Sequence, residues 1–344
     1  MVSIAKADAA ILAAAHRRLD KLTKPLGALG RLEALAAQIC AAQGTLTPSV
    51  SQPVAVVFAA DHGVADRGVS AYPRAVTAEM VKNFLAGGAA INVLARLQGM
   101  ELWIVDAGVD ADCAAHPRLV QAKVRRGTRD FTVEAALSGI ECRAALDQGG
   151  RIVERIVPPG GNTVVLGEMG IGNTAAAAAL MHGITGLPLA ECVGRGTGLD
   201  DAGLERKLGI LRAARARRAP PEDPVELLAE FGGCEIAMLV GALLGAAARR
   251  HLVIVDGFTV TVAAALAARV APAVLDYCVF GHCSQERAHR RLLEHLGVRP
   301  LLDLDMRLGE GSGAALALSV VRAAVALYNE MATFEGAGVS EKIE

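Results

Sequence analysis

TVVLGEMGIGNTAAAAALMH, residues 163–182, passes from an unbroken apolar run through a glycine-rich turn into an alanine-rich stretch. The run at 163–167 shows no polar alternation, the pattern of a strand buried on both faces. The alanines from 175 onward favour a helix. One β-turn-α unit is thus legible in twenty residues. Similar units recur along the chain. Strands are predicted at 54–60 (VAVVFAA), 101–107 (ELWIVDA), 252–256 (LVIVD), 275–280 (LDYCVF) and 300–305 (PLLDLD). Helical patterns cover 75–98, 173–182, 225–250, 259–269, 284–296 and 313–331. Strands alternating with helices imply right-handed crossovers and a parallel sheet covered on both sides.

The expected fold class is therefore α/β: a Rossmann-like parallel sheet of about six strands flanked by helices. Residues 1–50 and the C-terminal helix, about 313–344, fall outside the alternation and are expected to form a small helical domain. Residues 51–312 would form the large α/β catalytic domain. The proline-rich ARRAPPEDP at 216–224 separates two helices as a loop.

Composition narrows the function. The 344 residues are 53% apolar, enough for a sizeable core. A net charge of -1 and 3% aromatic content provide neither the basic field nor the stacking platforms that nucleic acid requires. The longest uncharged apolar run, 236–248, is short of the ~20 residues of a membrane span. Lys6 and Asp8 interrupt the N-terminus before a secretory core can form. Seven cysteines without a CxxC pair suit reduced thiols and a cytoplasmic protein.

Ligands of parallel sheets sit beyond the carboxyl ends of the strands. Here those ends carry DHGVADRGVSAYP, GEMGIGNT, DGFT, GHCSQERAH and RLGEGSG, which together describe one rim. Within GEMGIGNTA, Gly170, Gly172 and Ala175 form a G-x-G-x-x-A that resembles a dinucleotide fingerprint. However, Gly167, Glu168 and Met169 separate it from the predicted strand, and Glu191 does not end a convincing second strand. GRGTGLDD offers glycine-flanked amides and Thr197 ahead of a helix, a backbone nest for phosphate or simply a loop. In RKLGILRAARARR at 206–218 most positive charges read as a solvated helix face, and Lys207, close to that loop, is the one of interest.

GHCSQERAH gathers His282, Cys283, Glu286 and His289, which invites a metal reading. A buried histidine and a Ser284 helix cap are the more ordinary explanation. The Asp61-His62 pair reads by default as a structural hydrogen bond. LVIVDGFT lacks the second acid that would anchor a magnesium diphosphate. Glu310 stands between glycines in RLGEGSG, where turn geometry calls for glycines but not for a carboxylate.

In order and spacing, KLTKPLGALGRLE, VFAADHGVADRGVSAYPRAVTAEMV, LGEMGIGNTAAAAAL, GRGTGLDD, VDGFT, GHCSQERAH and LDLDMRLGEGSGAALAL resemble the nicotinate-nucleotide:dimethylbenzimidazole phosphoribosyltransferases of cobalamin lower-ligand synthesis. The resemblance spans roughly residues 20–330. It implies transfer of phosphoribose from nicotinate mononucleotide to a benzimidazole, with no cofactor and no metal. It also implies a homodimer whose site is completed by the neighbouring small domain. By the same resemblance, Glu310 matches the catalytic base, and Glu168 and Lys207 match polar residues around the reacting sugar. Gly170, Gly196, Thr197, Gly198, Asp256, Ser284 and Gly311 fall in segments that bind the mononucleotide. Ala71 and Glu79 lie where the family lines the benzimidazole pocket.

Two positions depart from the family pattern. Glu79 replaces a usual glutamine, and Arg287-Ala288 replaces a usual Pro-Gly. The absence of a lysine-arginine cluster suggests that backbone amides hold the phosphate. An NAD-dependent oxidoreductase and a non-catalytic nucleotide sensor are the alternatives.

Overall fold

The computed structural model describes residues 3–340. Its main sheet has six parallel strands: β1 (Val54–Ala60), β2 (Glu101–Gly108), β3 (Leu119–Gln121), β4 (Thr163–Met169), β5 (Leu252–Val255) and β6 (Cys278–Phe280). The spatial order is β3-β2-β1-β4-β5-β6. Winding reverses between β1 and β4, so a crevice opens at their carboxyl ends. The DHGV and GEMGIGNT segments flank that crevice.

β1 shows why the sheet needs apolar residues on both faces. Val54, Val56, Phe58 and Ala60 enter one core, while Ala55, Val57 and Ala59 enter the other. The first core lies under the helices Gly139–Ile156, Asn173–Thr185, Cys234–Ala248 and Phe258–Val270. Two of these helices touch backbone to backbone: a Cβ on Gly149 would lie 2.0 Å from the Met238 carbonyl oxygen, and one on Gly241 1.9 Å from that of Leu146. The second core lies under Ala9–Asp20, Arg31–Gln43, Ala90–Leu97 and Ser312–Glu330. Ser312–Glu330 is the one helix among the described residues long and apolar enough to cross a membrane. Ala314, Leu318, Val321 and Tyr328 bury one of its faces in that core.

The sheet departs from expectation at its edges. One edge is β3, Leu119–Gln121, too short and too close to polar residues to read as a strand. The expected strand at 300–305 contributes only β8 (Leu302–Asp303), which pairs with β7 (His282–Cys283) in a separate ribbon. Of the expected strand 275–280, the first half is a 3-10 turn, Pro272–Tyr277, begun by a proline with no N–H to donate. Two expected long helices are each broken by a glycine pair. Residues 75–98 form Val76–Ala86 and Ala90–Leu97, and residues 225–250 form Pro224–Phe231 and Cys234–Ala248. Gly139–Ile156 is a helix beyond those expected, because charges obscure its apolar stripe.

Candidate active site

β4 runs two residues further than its apolar stretch and carries Glu168 at its carboxyl end. Directly opposite, Gly309, Glu310 and Gly311 have φ of 88°, 65° and 85°, three successive left-handed residues. For glutamate that conformation costs about 1 kcal/mol, so the surrounding structure must impose it. Three contacts do so. The Glu310 N–H donates to the Glu168 carbonyl at 3.2 Å. The Gly311 N–H donates to Asp256 Oδ2 at 3.1 Å, and the Ala314 N–H to Asp256 Oδ1 at 2.9 Å. Asp256, expected among mononucleotide-binding segments, is fully buried and caps the Ser312–Glu330 helix from a distance.

Glu310 is buried, and its Oε2 has no hydrogen-bond partner among the described residues. A helix N-terminus favours a carboxylate and burial opposes it. Burial wins: removal from water raises the Glu310 pKa, the Ile91 N–H works against this, and Asp256 adds repulsion. Glu168 is raised further, to about 8, first by loss of water and then by the charges of Asp256 and Glu235. Asn173 Nδ2 donates to Glu168 Oε2 and partly offsets the shift.

A small cavity of about 90 Å³ collects Glu168, Gly170, Gly196, Thr197, Ser284 and Gly309. Glu310 and Gly311 are buried beside it. A second cavity of about 680 Å³ adjoins it through Gly196, Glu286 and Arg307, and includes Gly198. Lys207 lies behind the glycine loop, fully buried. Its Nζ donates to Thr174 Oγ1 at 2.8 Å and to the Gly194 carbonyl at 3.1 Å. Burial lowers its pKa to about 8, against the pull of Glu286. Lys207 thus ties the Gly194–Gly198 loop to the helix after β4. Ala71 and Glu79 are exposed and line neither cavity. Their segment nevertheless reaches the site, since Ser70 Oγ lies 3.4 Å from Thr197 Oγ1 and Thr77 Oγ1 accepts the Ile171 N–H at 3.1 Å.

Sequence reasoning overlooked several site residues. Asn173 and Thr174 stand inside GEMGIGNT, unassigned. Arg195 and Arg307, from loops, and Arg287, from the first turn of its helix, converge on the larger cavity, a cluster of arginines that the sequence reading did not assemble. Separations of about 90 and 20 residues hide such a cluster from inspection. Arg287 is also one of the two residues that replace the usual Pro-Gly.

The GHCSQERAH segment resolves mainly as structure. His289 is buried, with Nδ1 accepting the Ser284 N–H at 2.9 Å and Nε2 2.9 Å from Thr261 Oγ1. Both ring nitrogens are engaged by protein, and burial lowers its pKa to about 3. The helix begins at Arg287 with Glu286 as its N-cap. Ser284 instead accepts the Glu286 N–H at 3.2 Å. His282 differs. It lines the small cavity, its Nε2 is 3.5 Å from Asp256 Oδ1, and neither nitrogen has a hydrogen-bond partner among the described residues.

The dinucleotide fingerprint loses its ground here. Gly170 does follow the longer β4 at once. However, a Cβ there would lie 2.3 Å from the Ala60 carbonyl oxygen, and one on Gly172 would lie 3.2 Å from the His62 Cβ. Both close approaches are spent on protein packing. Glu191 is in a separate short helix, Leu189–Cys192.

Fold and site together define an α/β enzyme of the parallel-sheet class, with paired carboxylates and a cationic glycine loop at the switch in strand order. Residues 4–339 match the family described as Phosphoribosyltransferase, and the chain belongs to that family. It is 58% identical to the nicotinate-nucleotide--dimethylbenzimidazole phosphoribosyltransferase of Cupriavidus necator over 322 residues, 94% of this chain and 93% of that one. It is 54% identical to the enzyme of that name from Dechloromonas aromatica over 97% of each chain. The crystal structure of the Thermus thermophilus enzyme superposes with a TM-score of 0.93 at 44% identity, covering 97% of this chain and all of that one.

Proposed function

We propose that the chain transfers phosphoribose from nicotinate mononucleotide to 5,6-dimethylbenzimidazole or a related base, giving α-ribazole 5'-phosphate and nicotinate. The observation that carries this reading is Glu310, a buried carboxylate held by a left-handed turn with an oxygen left unpartnered. In the mononucleotide the ring nitrogen is already cationic, so its departure needs no general acid. The attacking benzimidazole nitrogen makes the opposite N–H acidic as the new bond forms, and one carboxylate accepts that proton. A base whose pKa burial has raised is suited to this transfer near neutrality. Attack from the face opposite the leaving ring inverts the anomeric carbon. Ionised Glu168 would offset the positive charge of the sugar in flight, and the Gly196–Gly198 loop with Arg195, Arg287 and Arg307 would hold the phosphate.

The protein acts as a homodimer in this reading, with the N-terminal helices and the C-terminal helix serving as a small domain that reaches the neighbour's site. Leu26 of KLTKPLGALGRLE is 76% exposed and lines a cavity of about 1510 Å³ that shares no lining residue with the small cavity beside Glu310. All seven cysteines are free, which suits a reducing cytoplasm. The test is direct: mix the mononucleotide with dimethylbenzimidazole and follow nicotinate and α-ribazole 5'-phosphate by chromatography. Binding without product would leave a sensor, and a purely monomeric active species would remove the dimer.

A further inference from the structure

One wholly buried polar contact near the site involves neither Glu310 nor the glycine loop. His62 Nε2 lies 2.6 Å from Glu235 Oε1, and both side chains are wholly buried. His62 follows the carboxyl end of β1 by two residues, and Glu235 stands in the first turn of the Cys234–Ala248 helix. That helix end favours a carboxylate, and so short a contact to a carboxylate favours an imidazolium. The ring is clamped from two sides. A Cβ on Gly172 would lie 3.2 Å from the His62 Cβ, and one on Gly233 would fall 2.4 Å from both His62 Cε1 and Glu235 Oε2. A Cβ on Gly170 would lie 3.5 Å from the ring's Cδ2, so His62 packs under Gly170 and Gly172, two and four residues beyond Glu168.

Charge makes this placement consequential. Glu168 feels the charges of Asp256, Glu235 and Glu310. Asp61 adjoins the pair on the β1 side, with Oδ2 accepting the Asp110 N–H, and Cys234 adjoins it on the helix. Other groups that can carry positive charge stand against its outer members: His282 Nε2 is 3.5 Å from Asp256 Oδ1, and the Arg74 and Arg125 guanidiniums pull on Asp61 and Cys234. His62 is the one in contact with Glu235. We propose that His62 and Glu235 form a positioning pair for the transfer reaction, in which the imidazolium cancels the Glu235 charge beneath Glu168 and leaves Glu168 free to ionise as the sugar becomes cationic. This rests on the phosphoribosyl-transfer reading above. His62 touches no substrate and acts through Glu168.

The test is the pH dependence of kcat in wild type, His62→Gln and the His62→Gln/Glu235→Gln double variant. His62→Gln strands a carboxylate near Glu168. The acid limb of the profile should move up by about one pH unit, with a corresponding loss of about tenfold on its slope. The double variant restores a neutral pair and should return the limb to its wild-type position. A merely structural role would lower kcat and leave the limb in place, and that result would overturn the proposal. Nitrogen-15 NMR of the wild-type protein gives a check that needs no variant. His62 should show the imidazolium signature at pH 7, and a neutral tautomer there would overturn the pair. Absence of nicotinate release from wild type would instead sink the underlying reading, so the two failures are distinguishable.

Discussion

Gly167 and Glu310 meet backbone to backbone: a Cβ on Gly167 would lie 2.4 Å from the Glu310 carbonyl carbon and 2.4 Å from the Gly311 nitrogen. β4 can therefore press against the carboxylate turn only where a side chain is missing. Gly167→Ala should push the turn outward, costing ~1–3 kcal/mol of stability and a larger share of turnover, since a misplacement of about 1 Å can cost 10² in rate. Melting temperature and kcat measured together check this. Wild-type values for both would show that the turn tolerates displacement.

Glu310→Gln keeps the shape of the side chain and removes its ability to accept a proton. Mononucleotide affinity, read by calorimetry, should hold, while turnover drops by ~10²–10⁴. Equal turnover in the variant would take the base assignment away from Glu310.

Glu168, His289 and Lys207 shape how stability of the unliganded protein responds to pH. Glu168 is raised from an ordinary 4.5 to about 8, so its contribution is full below 4.5 and is lost as pH rises through 8. His289, lowered from 6.5 to about 3, opposes this trend only between those values. Lys207, lowered from 10.5 to about 8, adds stability only as pH climbs above 8. Between pH 6.5 and 8 the Glu168 effect should dominate, and melting temperature should fall. Glu168→Gln should flatten that decline, and an unchanged slope would contradict the assignment.

The convergence of Arg287 and Arg307 on the glycine-loop cavity predicts a binding defect rather than a chemical one. A hydrogen bond to a charged group contributes roughly 1.5–3 kcal/mol. At these exposed positions, the Arg287→Ala/Arg307→Ala double variant should raise KM for the mononucleotide by about tenfold at unchanged kcat. The wild-type KM should also rise with salt. Steady-state kinetics at several ionic strengths decide it, and a KM indifferent to both changes would place the phosphate elsewhere.

Much of the fold can be read from order alone. Apolar runs of four to seven residues, each followed by glycines and then by alanines, specify parallel strands and their covering helices, because a strand buried on both faces has no polar side to show. What escaped were elements whose residues carry no local signal. Leu119–Gln121 is a strand only because β2 offers it an open edge. Leu302–Asp303 leaves the main sheet because His282–Cys283 lies nearer.

The chain by itself determined which residues stand at the carboxyl ends of the strands: Glu168, Ser284 and Glu310 follow from turn chemistry and strand direction. Only the tertiary structure decided what those residues can do. Whether Glu310 holds its proton depends first on how little water reaches it, and then on the Ile91 N–H and the Asp256 charge, more than 200 and more than 50 positions away. Asp256 becomes a cap, and three arginines a cluster, because folding brings distant groups within hydrogen-bond and Coulomb range. Those forces fall off with distance through space, to which separation along the sequence is indifferent.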